Sequence, residues 1–247
     1  MKIKSSIVLV TGATGGIGDA LVDELLRRGA SKIYAGGRNE TALSAIAARA
    51  PEIIVPLVLD VTDEVQVAAA ARKALDVNLL INNAGYCGLT GALSKDAVVE
   101  ARREMDVNYF GVLRMAHAFA PALAANGGGA IVNIVSFLAL ATLPLMGTYC
   151  ASKSAELALS RSLRAELAAG KTAVLASLPV QVDTPMAAWT DQPKVSPRDV
   201  AAETLAALEA EAIEVFPGRL SREAAASFAA DPKSVEAFLA SILPVAT

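Results

Sequence analysis

Tyr149 and Lys153 stand four residues apart in a segment with helical spacing, and Ser136 precedes the tyrosine. Residues at this spacing share one face of a helix. A free tyrosine has a pKa of about 10 and exchanges protons poorly at neutral pH. A nearby lysine cation favours the phenolate, so the pair is a candidate for general acid–base chemistry on an oxygen that Ser136 could orient. Isolated tyrosine–lysine pairs are usually surface residues. The predicted strands and helices around this pair are therefore needed to tell whether it belongs to an active site.

A glycine-rich turn follows the first apolar run of the chain. Residues 7–10 are Ile-Val-Leu-Val, which predicts a strand buried on both faces. Four glycines come next: Gly12, Gly15, Gly16 and Gly18. Residues 19–28 then show helical spacing, so the glycines lie where a strand turns into a helix. Such a turn lets a ligand approach the backbone, and the helix N-terminus favours a phosphate. The alternative is a tight turn without a ligand.

Strand-like and helix-like segments alternate along the chain. The predicted strands are 7–10, 31–35, 53–59, 78–81, 130–135, 172–178 and 212–216. The predicted helices are 19–28, 40–50, 63–74, 95–124, 148–169 and 197–211, with a helical C-terminal tail over 221–247. This alternation predicts one α/β domain over 1–247, with a doubly wound parallel sheet of about seven strands and helices on both faces. Pro56 favours an edge or irregular position for the third strand.

Polar or glycine residues follow four successive strands. They are Asp60, the segment 82–85, Ser136 and the segment 179–184. Ligands of doubly wound folds bind beyond the carboxyl ends of the strands. The sequence therefore predicts one extended cleft at that edge of the sheet.

Composition argues against several classes of protein. The net charge of −3 gives no broad basic surface for nucleic acid or an acidic membrane. No apolar stretch reaches the ~18 residues needed to span a bilayer. Cys87 and Cys150 have neither metal nor disulfide spacing, so no metal is expected. The chain enters a strand almost at once without a secretion signal, and a cytoplasmic protein is expected.

Four motifs in this order resemble the classical short-chain dehydrogenases/reductases. They are Thr-Gly-Ala-Thr-Gly-Gly-Ile-Gly at 11–18, Asn-Asn-Ala-Gly at 82–85, Ser136, and Tyr-Cys-Ala-Ser-Lys at 149–153. Asn108, within Asp-Val-Asn-Tyr-Phe-Gly, matches the helix asparagine of the family. The resemblance implies a Rossmann-type fold, hydride exchange between a nicotinamide cofactor and a carbonyl or alcohol, and a homodimer or homotetramer.

The resemblance also implies individual roles. Tyr149 is the general acid/base, Ser136 orients the carbonyl, Lys153 lowers the tyrosine pKa and holds the nicotinamide ribose, and Asn108 supports a proton relay. A buried structural asparagine is the alternative for Asn108. The implied cofactor contacts are Gly12, Thr14, Gly15, Gly16, Ile17, Gly18, Gly37, Arg38, Asn39, Asp60, Val61, Asn82, Ala84, Gly85, Tyr149, Lys153, Pro179, Val182 and Thr184.

The end of the second strand favours NADP(H) over NAD(H). Proteins that bind NAD place an acidic residue there, whereas an arginine accommodates the 2′-phosphate. Here Gly36 and Gly37 are followed by Arg38. A guanidinium can hold a phosphate in a bidentate manner. A surface arginine on a loop is the alternative.

The predicted substrate pocket is apolar, which suits a lipophilic ketone or secondary alcohol. Its residues are Ser136, Phe137, Leu138, Met146, Tyr149, Val180, Met186 and Trp189, with Leu140 and Leu143 as further candidates. Val180 replaces the glycine that usually follows the proline in the family. Cys87 is an open candidate for the pocket, and His117 is expected to pack within its helix.

The sequence thus predicts an NADP(H)-dependent carbonyl reductase or alcohol dehydrogenase acting on a small molecule. One alternative is an epimerase or dehydratase on the same scaffold, but the longer substrate domain of those enzymes is absent. The other is a cofactor-sensing protein without turnover, which would not need the complete set of serine, tyrosine and lysine.

Overall fold

A computed structural model describes residues 1–243, and in this range seven parallel strands form one sheet. Their order is β3-β2-β1-β4-β5-β6-β7. The strands are β1 (Ile7–Val10), β2 (Lys32–Gly37), β3 (Ile54–Val58), β4 (Leu79–Asn82), β5 (Gly129–Ile134), β6 (Thr172–Ser177) and β7 (Glu214–Val215). The order runs outward in both directions from β1 and β4, so the sheet is doubly wound and the predicted Rossmann-type fold is confirmed. Pro56 lies in the edge strand β3, where a missing N–H is tolerated.

Helices cover both faces of the sheet. They are α1 (Gly16–Arg27), α2 (Glu40–Ala47), α3 (Glu64–Lys73), α4 (Ala97–Met105), α5 (Val112–Ala125), α6 (Gly147–Glu166), α7 (Pro197–Glu209), α8 (Arg219–Ala230) and α9 (Pro232–Ala240). One core layer joins α1, α2 and α7 to the sheet, and the other joins α3, α5 and α6. The strands β1, β2, β4 and β5 therefore have buried side chains on both faces, which explains their continuous apolar sequence.

The predicted helix over 95–124 is divided. A π-helical turn, Asp106–Gly111, separates α4 from α5 and contains Asn108. Such turns widen the helix and are frequent at functional sites. His117 is exposed on α5, so the prediction that it packs within its helix is wrong.

The C-terminal tail folds as α8 and α9. The Phe137 and Phe228 rings meet edge to face at 6.1 Å, which joins α8 to the end of β5. The last part of the predicted tail, 244–247, lies outside the described residues. Within residues 1–243, no helix combines the length and apolar character required to cross a membrane.

Candidate active site

A cavity of about 1060 Å³ opens along the carboxyl ends of the strands. Most of the predicted cofactor residues line it: Gly12, Thr14, Gly15, Gly16, Ile17, Gly37, Arg38, Asp60, Val61, Ala84, Gly85, Tyr149, Lys153, Pro179, Val182 and Thr184. The predicted pocket residues also line it: Ser136, Phe137, Leu138, Leu143, Met146, Val180, Met186 and Trp189. Cys87 joins them, whereas Leu140 packs against Val135 and Leu157 instead.

Three predicted cofactor residues lie outside this cavity. Asn82 is 3% exposed, and its amide nitrogen donates to Asn133 Oδ1 at 2.9 Å across neighbouring strands. Asn39 caps α2 by accepting from the Ala42 N–H at 3.0 Å. Gly18 packs against the backbone of the glycine turn. The next asparagine, Asn83, lines the cavity and fastens that turn by donating to the carbonyls of residues 11 and 12 at 3.0 and 3.1 Å.

The glycine turn has the form of a phosphate cradle. Helix α1 begins at Gly16 without a side-chain cap, so the N–H groups of its first turn lack acceptors within the helix. A Cβ on Gly15 would meet no atom within 4 Å, so the turn faces open space. Gly12 has a φ of +63°, which favours glycine. A nicotinamide dinucleotide therefore fits this site through its phosphates.

Gly18→Ala is expected to lower the free energy of unfolding by about 1–3 kcal/mol, because its Cβ would lie 2.1 Å from the Gly12 carbonyl oxygen. Thermal unfolding should show a Tm lower by roughly 2–12 °C. Gly15→Ala is the matched control, since Gly15 has an extended φ of −123° and an open environment. An equal loss of Tm in both variants would contradict this account of Gly18.

Ser136, Tyr149 and Lys153 converge where β5 faces α6. Lys153 Nζ lies 5.9 Å from the centroid of the Tyr149 ring. Ser136 Oγ accepts from the Leu138 N–H at 3.1 Å, and its own O–H donates to the Tyr149 hydroxyl. The three side chains line the same stretch of the cavity, so one small molecule can reach all of them.

Burial is the largest influence on the pKa of Tyr149. The residue is 9% exposed, and burial raises its pKa above the usual value. Cys87 and Glu156 raise the pKa further, and a hydrogen bond from Ser136 opposes them. The predicted lowering of this pKa by Lys153 is therefore not found in the protein alone.

The sequence interpretation missed the partner of Lys153. Its Nζ donates to Glu156 Oε2 at 2.6 Å and to the Ile134 carbonyl at 3.0 Å. Burial raises the pKa of Glu156, and the Lys153 cation acts in the opposite direction. The only sequence signal is the i,i+3 spacing on α6, which brings two side chains to one helix face.

Asn108 joins the loop after β4 to α6. It is fully buried, its Oδ1 accepts from the Tyr86 N–H at 2.8 Å, and its Nδ2 donates to the Tyr86 carbonyl at 2.8 Å and to Ser152 Oγ at 2.9 Å. A Cβ on Gly85 would lie 3.5 Å from Asn108 Oδ1 and 3.8 Å from Lys153 Nζ. Asn108 thus borders the site behind Gly85 and supports the loop; its role in a proton relay remains a prediction.

Comparison with known proteins identifies the family. The sequence model of the short chain dehydrogenase family matches residues 6–194. The chain belongs to this family. A short-chain dehydrogenase from Burkholderia cenocepacia J2315, solved in complex with NADP, is 43% identical with a TM-score of 0.90, and the match covers 99% of this chain and 100% of that one.

Two further relatives of the present chain carry more specific names. The 1-deoxy-11-beta-hydroxypentalenate dehydrogenase of Streptomyces avermitilis is 35% identical over 195 residues, 75% of this chain and 72% of that protein. The 2-(R)-hydroxypropyl-CoM dehydrogenase of Xanthobacter autotrophicus is 33% identical over 202 residues, 77% of this chain and 80% of that protein. Both are dehydrogenases, so the chain is a member of an oxidoreductase family.

The C-terminal tail forms one wall of the cavity, a role that the sequence interpretation did not predict. Four apolar residues of the α9 region line the cavity: Val235, Phe238, Leu239 and Ile242. Their spacing of three, four and seven residues is that of one helix face, which is the signal in the sequence. The Val180 N–H donates to Ser221 Oγ at 3.1 Å, so α8 fixes the turn in which Val180 replaces the usual glycine.

Proposed function

We propose that the protein is an NADP(H)-dependent carbonyl reductase that interconverts a lipophilic ketone or aldehyde with its alcohol. One observation carries the proposal: the Ser136, Tyr149 and Lys153 side chains meet at one stretch of a cavity whose distal wall is apolar. The family assignment supports the class of reaction. The apolar wall supports the lipophilic substrate.

The chemistry divides between the cofactor and three side chains. The nicotinamide cofactor supplies the hydride when bound. Tyr149 holds a proton on its phenolic oxygen, and burial keeps it protonated at neutral pH. This form donates to a carbonyl oxygen, so it suits reduction. The O–H of Ser136, which bonds Tyr149 in the protein alone, can turn to donate a hydrogen bond to the same oxygen and orient it.

The walls of the cofactor half favour NADP(H). Arg38 is exposed at the end of β2, directly after Gly37, and both residues line the cavity. A carboxylate at that strand end would repel a 2′-phosphate, and glycines stand there instead. Asp60 Oδ1 accepts from the Thr62 N–H at 2.9 Å and from the Thr62 hydroxyl at 2.7 Å, which holds this carboxylate against its own turn. The NADP complex of the Burkholderia cenocepacia relative supports the same cofactor.

The apolar wall draws on three parts of the chain. Leu143, Met146 and Tyr149 form a buried cluster, and Leu239 of α9 packs against it. Met186 and Trp189, after β6, are 46% and 37% exposed at the mouth. Since these side chains offer little hydrogen bonding, they are suited to a hydrocarbon body with one carbonyl directed at Ser136.

Leu239→Ala is expected to raise KM for a bulky apolar ketone by roughly 3–30-fold, because it removes three carbon atoms worth about 0.8 kcal/mol each when fully buried. A small ketone that does not reach α9 should be affected less. Initial rates with a series of ketones of increasing size measure this. Leu243→Ala is the control, since Leu243 is exposed and does not line the cavity. A KM increase that is the same for every ketone size would contradict the proposed wall.

Exposed apolar side chains support association of copies of the chain. Val98 and Val99 on α4 are 65% and 64% exposed, and Phe110 in the π-helical turn is 44% exposed. We infer a homodimer or homotetramer that covers this surface.

The experiment that tests the proposed function is loss of nicotinamide absorbance with NADPH or NADH against a panel of aliphatic and aromatic ketones and diketones. Turnover with NADPH and little with NADH is the expected result. Tight binding of NADPH without turnover of any ketone would overturn it and favour a cofactor-sensing protein.

A further inference from the structure

The Lys153 ammonium is paired with a carboxylate that the proposed reaction does not use. Lys153 and Glu156 have side chains that are 4% and 1% exposed, and their charged atoms lie 2.6 Å apart. A buried ammonium is strongly disfavoured unless a partner offsets its lost hydration. Among residues 1–243, Glu156 is the one carboxylate within salt-bridge distance of Lys153.

No compensating negative charge at neutral pH comes from Cys87, Tyr149 or the Ile134 carbonyl, which lie near the pair. Burial raises the pKa of Cys87 to about 11, so its thiol is neutral. Tyr149 is protonated for the same reason, and β5 contributes the uncharged carbonyl of Ile134. Glu104 of α4, the next buried carboxylate, acts on Cys87 and Cys150. Glu156 is therefore the carboxylate placed to balance the charge of Lys153.

We propose that Glu156 is a positioning residue whose carboxylate keeps the buried Lys153 an ammonium and fixes it against the Ile134 carbonyl, with one N–H left for the nicotinamide ribose. This inference rests on the proposed function. An ammonium has three N–H donors, and the two bonds named use two of them. Lys153 and Gly85 both line the cavity, so the remaining donor has room for a ligand hydroxyl.

The Lys153–Glu156 pair affects both the cofactor side of the site and the proton donor Tyr149. Lys153 must keep its proton beside the positively charged ring of an oxidised nicotinamide, and Glu156 offsets that repulsion. Glu156 also contributes to the raised pKa of Tyr149. Removing its charge should therefore make Lys153 lose its proton more easily and make Tyr149 a stronger acid.

The direct test is a titration of Lys153 in the protein without cofactor. Protein with ¹³C-labelled lysine gives a Cε chemical shift that follows the ammonium, and Lys153→Met assigns its signal. The midpoint is expected to fall in Glu156→Gln, because the carboxylate that stabilises the ammonium is lost. Glu156→Asp should recover part of the fall. Glu166→Gln, an exposed glutamate on the same helix, should keep the wild-type midpoint. Equal midpoints in wild type and Glu156→Gln would overturn the proposal.

The pH dependence of ketone reduction gives the second readout. Both effects of Glu156→Gln, a more easily deprotonated Lys153 and a more acidic Tyr149, move the alkaline limb of kcat/KM to lower pH, by about one unit or more. A uniform loss at every pH with an unmoved limb would show a merely structural role and overturn the proposal. If wild type reduces no ketone, the proposed function fails while the lysine titration still decides the role of Glu156. If Glu156→Gln does not fold, Glu156→Asp and Glu156→Asn are compared in the same titration, and equal midpoints overturn the proposal.

Discussion

Replacing Tyr149 by Phe is expected to lower kcat for ketone reduction by about 10²–10⁴-fold, because the variant has no phenolic proton to give to the carbonyl oxygen. The ring should keep its place in the cluster with Leu143 and Met146, so the fold and NADPH affinity should change little. Loss of nicotinamide absorbance gives the rate, and a fluorescence titration with NADPH gives the affinity.

The matched control is Tyr109→Phe. Tyr109 lies in the π-helical turn, meets Phe110 edge to face at 5.0 Å and does not line the cavity. Its variant should retain wild-type kcat. Full activity in Tyr149→Phe would contradict the acid role, and loss of NADPH binding together with activity would point to a structural effect.

Arg38→Asp is expected to weaken NADPH binding by about 10–100-fold and to leave NADH binding nearly unchanged. Hydrogen bonds to charged groups contribute roughly 1.5–3 kcal/mol, which corresponds to this range in Kd. The new carboxylate also repels a 2′-phosphate, whereas it can accept from a ribose 2′-OH. Titrations of both cofactors measure the ratio of the two Kd values.

Arg72→Asp serves as the control for this charge reversal. Arg72 is exposed on α3 and does not line the cavity, so its variant changes net charge equally without touching the cofactor site. Equal weakening of NADPH and NADH by Arg38→Asp, or no weakening of either, would rule out recognition of the 2′-phosphate by Arg38.

Much of the fold could be predicted because its signals are local. Strands buried on both faces must be continuously apolar, as residues 7–10 are, and each is followed by a segment with helical spacing. The glycine turn could also be predicted, since strand, glycines and helix occur in order. The seven-stranded parallel sheet confirms the predicted doubly wound α/β fold.

The remaining parts of the site depend on packing between distant segments. Asn82 was expected to face the cofactor, but the register of β4 and β5 places it opposite Asn133, where its amide nitrogen donates to Asn133 Oδ1. Glu156 could not be recognised because an i,i+3 pair on a helix is ordinarily exposed, and its burial depends on how α6 packs against β5. The apolar face of α9 predicts a buried surface without saying which one it covers.

The contact between α8 and the turn after β6 has a consequence for how new specificities arise. The family match ends at residue 194, whereas Ser221 and the apolar face of α9 lie beyond it. The glycine turn thus lies inside the matched stretch, whereas the α8 and α9 residues that complete the apolar wall lie outside it. Substitutions in α8 and α9 can therefore reshape the far end of the cavity while the glycine turn is kept.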